Sequence, residues 1–344
     1  MLIARAPVRI SFAGGGTDLP SYYLRYGGAV VSAAIDKYFY VFMTVDKSDT
    51  IQIMSSDYQT FFRQPAVDTM IWDGDLALPR AILNHFNIHE GLSVFLASQV
   101  PPGTGLGSSS TVAVAIIKAV TSLLGLGLSK HEIAELACFI EIEKLGMPIG
   151  KQDQFAAAYG GVNAFTFTAD GVGVEPLRLR PETIEQLERN LLLFYTGAAR
   201  ESARVLDQQN RRTMASDAEV LNSLHALKEM ALEARRLLQA GRLDAFGELL
   251  HAGWEQKKRL ASGISTPRID EWYETARRHG AIGGKITGAG GGGFLMVYCP
   301  SGTAAAVTAA LETDGLRRMD FSIDFDGAKI LVNNSLPLAV TRRA

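Results

Sequence analysis

Two glycine-rich segments carry residue types that hold phosphate: Pro101-Pro102-Gly103-Thr104-Gly105-Leu106-Gly107-Ser108-Ser109-Ser110 and Lys285-Ile286-Thr287-Gly288-Ala289-Gly290-Gly291-Gly292-Gly293. Glycine lets backbone N–H groups approach an oxygen without a Cβ in the way. The first segment follows a strand-like alternation of Leu92, Val94 and Leu96 with polar or outward positions. It precedes an apolar helical stretch from Thr111 to Leu124. Loop amides and a helix N-terminus therefore converge on one anion. Ser108, Ser109 and Ser110 add hydroxyls suited to a neighbouring divalent cation. The chemistry these residues suit is nucleotide-dependent phosphoryl transfer.

Other motifs fail on spelling. A Walker A loop needs Ser or Thr after Gly-Lys, whereas Gly150-Lys151 is followed by Gln152 and Gly284-Lys285 by Ile286. Gly288, Gly290 and Gly293 match Gly-x-Gly-x-x-Gly but precede a strand pattern at Phe294, where a dinucleotide fingerprint would open a helix. His85 and His89 are spaced like two metal ligands, yet Phe-Asn-Ile stands between them and the zincin glutamate is missing. His131-Glu132 has Glu135 where the second histidine would stand, and no Ser-His-Asp signature is present.

The elements that must position the loops read as α+β. Strands are expected within Ala29 to Val45, broken in two near Asp36-Lys37, and at Thr50 to Met54, Gln59 to Phe62, Val162 to Phe167 and Asn190 to Tyr195. Ser129 with Glu132 forms a capping box for a helix from Lys130 to about Lys144, stopped by Gly146 and Pro148. Val220, Leu224, Leu227, Ala231, Ala234 and Leu238 make one apolar helical face. Lys and Arg on the other faces between Arg200 and Leu260 read as solvated charges. A hairpin at Asp170-Gly171, a helix from Pro267 to His279, strands at Ile282 to Thr287 and Phe294 to Cys299, and a helix from Thr303 to Leu311 complete the pattern.

The 344 residues, 47% of them hydrophobic, exceed what one compact core serves, so two lobes are expected, 1–190 and 191–344. A formal net charge of -2 gives no broad basic field; it argues against nucleic acid and for a small metabolite as partner. Cys138 and Cys299 lie in apolar stretches, consistent with buried thiols in a reducing compartment. Met1 to Arg5 lacks a signal-peptide core, and no run approaches the roughly 18 apolar residues of a membrane span. The expectation is a cytoplasmic protein without a membrane partner, with a homodimer left open.

The two glycine segments, together with Ala6-Pro7-Val8-Arg9-Ile10-Ser11-Phe12-Ala13-Gly14-Gly15-Gly16-Thr17-Asp18, resemble in order and spacing the GHMP small-molecule kinases. The likeness sharpens toward sugar kinases, especially bacterial D-glycero-D-manno-heptose 7-phosphate kinases, with fucokinase domains as near relatives. Its carriers are residues 11 to 23 and Gly-Lys-Gln-Asp-Gln-Phe-Ala-Ala-Ala-Tyr-Gly-Gly at 150 to 161. Galactokinases carry Glu-His where Gly15-Gly16 stands here, which points away from galactose.

The resemblance implies a two-lobed fold with nucleotide and sugar sites in the cleft between lobes, and ATP and Mg2+ as cofactors. It makes Asp153 the base that receives the acceptor's proton and Arg9 its charge-balancing neighbour; the alternative for Asp153 is a helix N-cap. Pro102, Gly103, Thr104, Gly105, Gly107, Ser108, Ser109, Ser110, Gly288, Gly290 and Gly291 would hold the nucleotide. Ser109 and Glu141 would hold the metal; Glu143 is the rival carboxylate, but two residues along a helix point about 200° apart. Gly15, Gly16, Thr17, Asp18 and Lys285 would face a sugar phosphate. A distal phosphate needs cationic or hydroxyl donors, for which Lys285, Thr287, Lys151, Lys37, Arg25 and Arg200 stand as candidates. The activity implied is phosphorylation of the anomeric hydroxyl of a heptose 7-phosphate. The alternatives are a fucokinase or other free-sugar 1-kinase and a non-catalytic sugar and nucleotide sensor.

Overall fold

Backbone hydrogen-bond pairing divides the strands between two sheets. The first contains β1 (Leu2–Ala13), β2 (Gly28–Val45), β3 (Thr50–Ser55), β4 (Thr60–Pro65), β5 (Leu92–Ser98), β6 (Val162–Thr168) and β7 (Gly171–Pro176). The second is antiparallel and contains β8 (Leu191–Tyr195), β9 (Gly283–Ile286), β10 (Phe294–Tyr298) and β11 (Arg317–Met319), in the order β11-β8-β10-β9. The last strand, β12 (Lys329–Asn333), returns to the first sheet and pairs with β1. The computed structural model describes residues 1–46, 48–57, 59–66, 73–88, 90–197 and 202–334.

Asp36-Lys37 does not end a strand. β2 runs through it, and β1 slips register there, pairing Pro7 with Tyr38 and Val8 with Ile35. The two unmatched residues form a bulge, the usual device for re-aiming a strand. On one side of it β2 pairs with β6, and on the other with β5. The polar dipeptide that looked like a break marks a change of partner.

The helices in chain order are α1 (Pro20–Tyr26), α2 (Ala77–His85), α3 (Ser108–Leu123), α4 (Lys130–Cys138), α5 (Gln152–Tyr159), α6 (Pro181–Asn190), α7 (Ser202–Met214), α8 (Ala218–Gln239), α9 (Leu243–Lys257), α10 (Pro267–Arg278) and α11 (Ala304–Thr313). Apolar faces of α2 to α5 close one core against the first sheet. α8 and α9 lie in a second core shared by Val8, Ile10 and Phe12 of β1 and by Leu191 and Leu193 of β8. Leu192 and Phe194, on the opposite face of β8, enter a third core with α10 and α11. The apolar stripe expected from Val220 to Leu238 is buried along α8. Cys138 and Cys299 are buried and unpaired. No helix among the described residues is long and apolar enough to cross a membrane.

The capping box at Ser129 and Glu132 is formed, but the regular helix ends at Cys138 and continues as a π-helical segment, Phe139–Lys144. Such wide turns inside helices frequently occur at functional sites. This one carries Glu141.

Candidate active site

The two glycine segments meet. Gly105 packs so tightly on the second loop that a Cβ there would lie 2.5 Å from the Thr287 carbonyl oxygen, and one on Gly288 would lie 2.4 Å from the Gly105 Cα. The Thr287 hydroxyl donates to the Thr104 carbonyl at 3.1 Å. The first loop leads from β5 into α3, whose N-cap Gly107 has φ 79°. The second is the hairpin between β9 and β10, as its position before a strand suggested. Gly103, Gly105, Gly107, Ser108, Ser109, Ser110 and Gly288 line one cleft together with Arg9, Gly15, Gly16, Asp18, Asp153 and Lys285.

Arg9 reaches this cleft from β1 and Asp153 from the first turn of α5. Arg9 Nε donates to Asp153 Oδ1 and Nη2 to Oδ2, both at 2.7 Å, while Nη1 donates to the Gly105 carbonyl at 2.7 Å. This fork fixes the carboxylate plane and ties it to the glycine loop. Asp153 is not the cap of α5, which begins after Lys151 without a side-chain cap. Its Oδ2 lies 3.1 Å from where a Gly107 Cβ would stand, beside the N-terminus of α3.

Asp18 faces it from the turn after β1. It is buried and accepts from the Gly16 amide at 3.0 Å and from the Gln152 amide and side-chain Nε2 at 3.3 and 3.1 Å. Burial, and then the nearby charge of Asp153, push the Asp18 carboxyl above its usual range.

Glu141 is fully buried, whereas Glu143 is exposed. Ser109 Oγ donates to Glu141 Oε1 at 3.1 Å and Gln154 Nε2 to Oε2 at 2.7 Å. Burial raises the Glu141 carboxyl to about 7, against hydrogen bonds from Gln154, Ser110 and Ser109 that favour its charged form. A buried carboxylate next to serine hydroxyls at a phosphate-sized cleft is a hard oxygen donor set, and it fits Mg2+ completed by phosphate and water oxygens. The Ser108 hydroxyl is buried without a partner among the described residues, as a group awaiting a phosphate oxygen would be. Beyond Ser109 the cleft adjoins an apolar hollow of about 350 Å³ lined by Phe39, Leu76, Leu78, Leu96, Val112 and Met147. Its volume and apolar lining suit a heteroaromatic base. Sequence reasoning missed it, because its walls come from β2, β5, α3 and the segments around α2 and Met147.

Other expected ligands lie elsewhere. The Thr17 hydroxyl is 2.8 and 2.9 Å from the carbonyls of Gly14 and Ala29 and accepts from the Ala29 amide, so it braces the loop. The Gly291 amide donates to the Ile264 carbonyl and Gly290 packs on Ile264, while Pro102 and Thr104 lie outside the cleft lining. Of the distal-phosphate candidates among the described residues, only Lys285 lines the cleft. Lys37 pairs with Asp36, Thr287 is buried on Thr104, Arg25 is exposed, and Lys151 lies over the Tyr23 ring. Arg200 and His89 lie outside the described residues. His85 packs edge-on against Phe86 and Phe139.

Lys257 corrects the expectation that every Lys and Arg of the helical region is solvated. It is buried, lines the cleft, and donates to the carbonyls of Ile286 and Gly288. Burial and the neighbouring Arg9 charge lower its amine to about 7, with Asp18 opposing. The signal was present: the buried stripe Leu243, Phe246, Leu250, Trp254 of α9 continues at Lys257.

A glycine loop at a helix N-terminus, a buried carboxylate bonded to a serine, and an arginine-held aspartate are parts suited to phosphoryl transfer. Comparison with known proteins agrees. The GHMP kinases N terminal domain matches residues 76–161 and the GHMP kinases C terminal domain residues 234–315. The D-glycero-alpha-D-manno-heptose 7-phosphate kinase of Campylobacter jejuni is 31% identical over 331 residues, covering 94% of this chain and 97% of that protein. The chain therefore belongs to the GHMP kinase family, and these relatives make it an ATP-dependent kinase that transfers phosphate to a hydroxyl. The L-fucokinase/L-fucose-1-P guanylyltransferase of Bacteroides fragilis is 29% identical across 90% of this chain, which spans only 36% of that longer protein. A crystal structure described as a D-glycero-D-manno-heptose 1-phosphate kinase from Bacteroides thetaiotaomicron superposes with TM-score 0.82 at 29% identity, covering 97% of this chain and all of that one.

Proposed function

We propose that this kinase phosphorylates the anomeric hydroxyl of D-glycero-D-manno-heptose 7-phosphate, converting it to the 1,7-bisphosphate at the expense of ATP. The observation that carries this reading is the Arg9–Asp153 fork abutting the glycine loop, with Asp18 on the acceptor side of the same cleft. The relatives named for heptose phosphates support the choice of sugar.

In this reading Asp18 and Gln152 orient the sugar hydroxyls. Asp153 accepts the proton of the 1-hydroxyl as its oxygen bonds to phosphorus and the bond to the ADP oxygen breaks. Arg9 keeps the carboxylate aligned and offsets negative charge. The amides of the Gly103 to Gly107 loop, the N-terminus of α3 and Ser108 hold the phosphates. Ser109 and Glu141 would hold Mg2+, which supplies charge neutralisation between nucleotide phosphates when bound. The product would feed a nucleotide-activated heptose for a surface polysaccharide, made in the cytoplasm.

A second reading, a kinase for fucose or another free sugar, draws on the fucokinase relative. ADP release with purified protein, ATP and Mg2+ separates the two across heptose 7-phosphate, mannose, fucose and galactose. Turnover preferring heptose 7-phosphate is expected; preference for a free sugar would overturn the heptose assignment.

A further inference from the structure

Lys257 and Lys285 approach the cleft from one side, on α9 and β9 respectively. Both are more than nine-tenths buried. Their acceptors are backbone carbonyls: Phe12 at 2.9 Å for Lys285, and Ile286 and Gly288 for Lys257. Among the described residues, neither amine has a carboxylate partner in an ion pair. Arg9, the third cation nearby, is already matched by Asp153. Two buried amines without a carboxylate at ion-pair distance are expensive to maintain, and burial lowers both from the ordinary lysine range, for Lys257 against the opposing charge of Asp18.

The neighbouring groups point the same way. Ser11 Oγ is buried, lines the cleft and has no hydrogen-bond partner among the described residues. Gly15 stands over it. A Cβ on Gly15 would lie 3.5 Å from Ser11 Oγ and 3.8 Å from Gln152 Nε2, ordinary contacts, and the residue is not among the positive-φ glycines. Neither backbone nor packing therefore demands glycine at this position; what a side chain would take away is cleft space. Lys257, Lys285 and Gly15 also border a small hollow against the end of β1, walled by Phe12, Ala13 and Gly14.

We propose that Lys257, Lys285 and Ser11, under the open space left by Gly15, form a subsite for the phosphate monoester that the acceptor sugar already carries. This rests on the reading of the protein as a sugar-phosphate kinase and names the residues that set that preference. A dianion there supplies the direct ion-pair partner both amines lack and an acceptor for the Ser11 hydroxyl.

The test compares wild type with Lys257→Met, Ser11→Ala and Gly15→Glu on heptose 7-phosphate and on unphosphorylated heptose, with ADP affinity measured alongside. In Lys257→Met and Gly15→Glu, KM for the phosphorylated sugar is expected to rise at least tenfold, and the preference for it over free heptose to fall by a similar factor. Ser11→Ala should show a smaller shift in the same direction. Equal losses of kcat on both sugars with KM unchanged would overturn the subsite and place the amines on the transferred phosphoryl group; a parallel loss of ADP affinity would place them on the nucleotide. Should Lys257→Met not fold, the Gly15→Glu result decides. Calorimetric binding of inorganic phosphate in the presence of ADP and Mg2+ gives a readout free of turnover. Binding weakened at least tenfold by Lys257→Met is expected, and unchanged binding would overturn the subsite. A wild type that binds phosphate through Lys257 but does not turn over heptose 7-phosphate would instead overturn the acceptor assignment.

Discussion

Asp153 and Arg9, separated by 144 residues in sequence, meet in a two-pronged ion pair with both N···O distances at 2.7 Å. Because a third nitrogen of the same guanidinium holds the Gly105 carbonyl, the Asp153 carboxylate and the first glycine loop share one rigid support. Misplacing either moves the other.

Replacing the carboxylate tests its role as base. Asp153→Asn keeps the shape but removes the proton acceptor, so kcat should fall by about 10²–10⁴-fold. Nucleotide affinity should stay within a few-fold of wild type, because the loop amides and Ser108 are untouched. Turnover close to wild type in steady-state assays would refute the assignment.

Metal dependence should follow Glu141. In Glu141→Gln the Ser109 and Gln154 contacts can partly survive, but the negative charge is gone. The Mg2+ concentration for half-maximal activity should rise by about tenfold or more, as expected on removing one of the few protein ligands such an ion has. A titration of rate against free Mg2+ gives the answer, and an unchanged midpoint would remove Glu141 from the metal site.

The contact between the glycine loops can be broken with one methyl group. In Gly105→Ala the new Cβ meets the Thr287 carbonyl oxygen at 2.5 Å, at a φ of 77° that L residues rarely adopt. Strain and lost packing should cost about 1–3 kcal/mol in denaturant unfolding. Nucleotide affinity should fall with it, since the loop cannot keep its path. Wild-type stability and affinity would show that the loops yield.

Lys257 makes stability depend on pH. Burial lowers its amine in the folded chain to about 7, below the ordinary lysine value of 10.5, so between those values the unfolded chain holds a proton that the native state lacks. Stability of the unliganded protein therefore rises with pH across that window, and the penalty is fullest below pH 7. Lys257→Met removes it. The variant's stability relative to wild type should be most favourable near pH 7 and should decline by up to a few kcal/mol toward pH 10. Lys285 stays in both proteins but is itself lowered by the Lys257 charge, so the difference in denaturant midpoints along a pH series reports Lys257 together with its coupling to Lys285. A difference that does not vary with pH would show that its amine stays charged when buried.

Much of the site was legible because phosphate chemistry demands particular backbone types in short runs. The 101–110 and 285–293 segments, the Asp18 turn and the Gly150 to Gln154 turn are local, and resemblance gave their residues roles. The polar signals of Ser129 with Glu132 and of Pro267 likewise specified helix starts that formed. The bulge at Asp36-Lys37 and the π-helical turn at Glu141 were not legible, since each depends on pairing with distant elements rather than on local preference.

The amino-acid order by itself determined which segments can bind phosphate and which residues can take up a proton or a cation, because backbone freedom and side-chain chemistry are local properties. Only the tertiary structure decided that Thr17 and Gly291 are spent on bracing their loops, and that apolar walls from β2, α2 and α3 enclose a hollow beside Ser109. It also decided that Lys257 is buried in the cleft while its neighbour Lys258 remains partly exposed. Burial and the supply of partners arise from packing between segments far apart in the chain, and these set whether a charged side chain is a solvated surface group or part of a site.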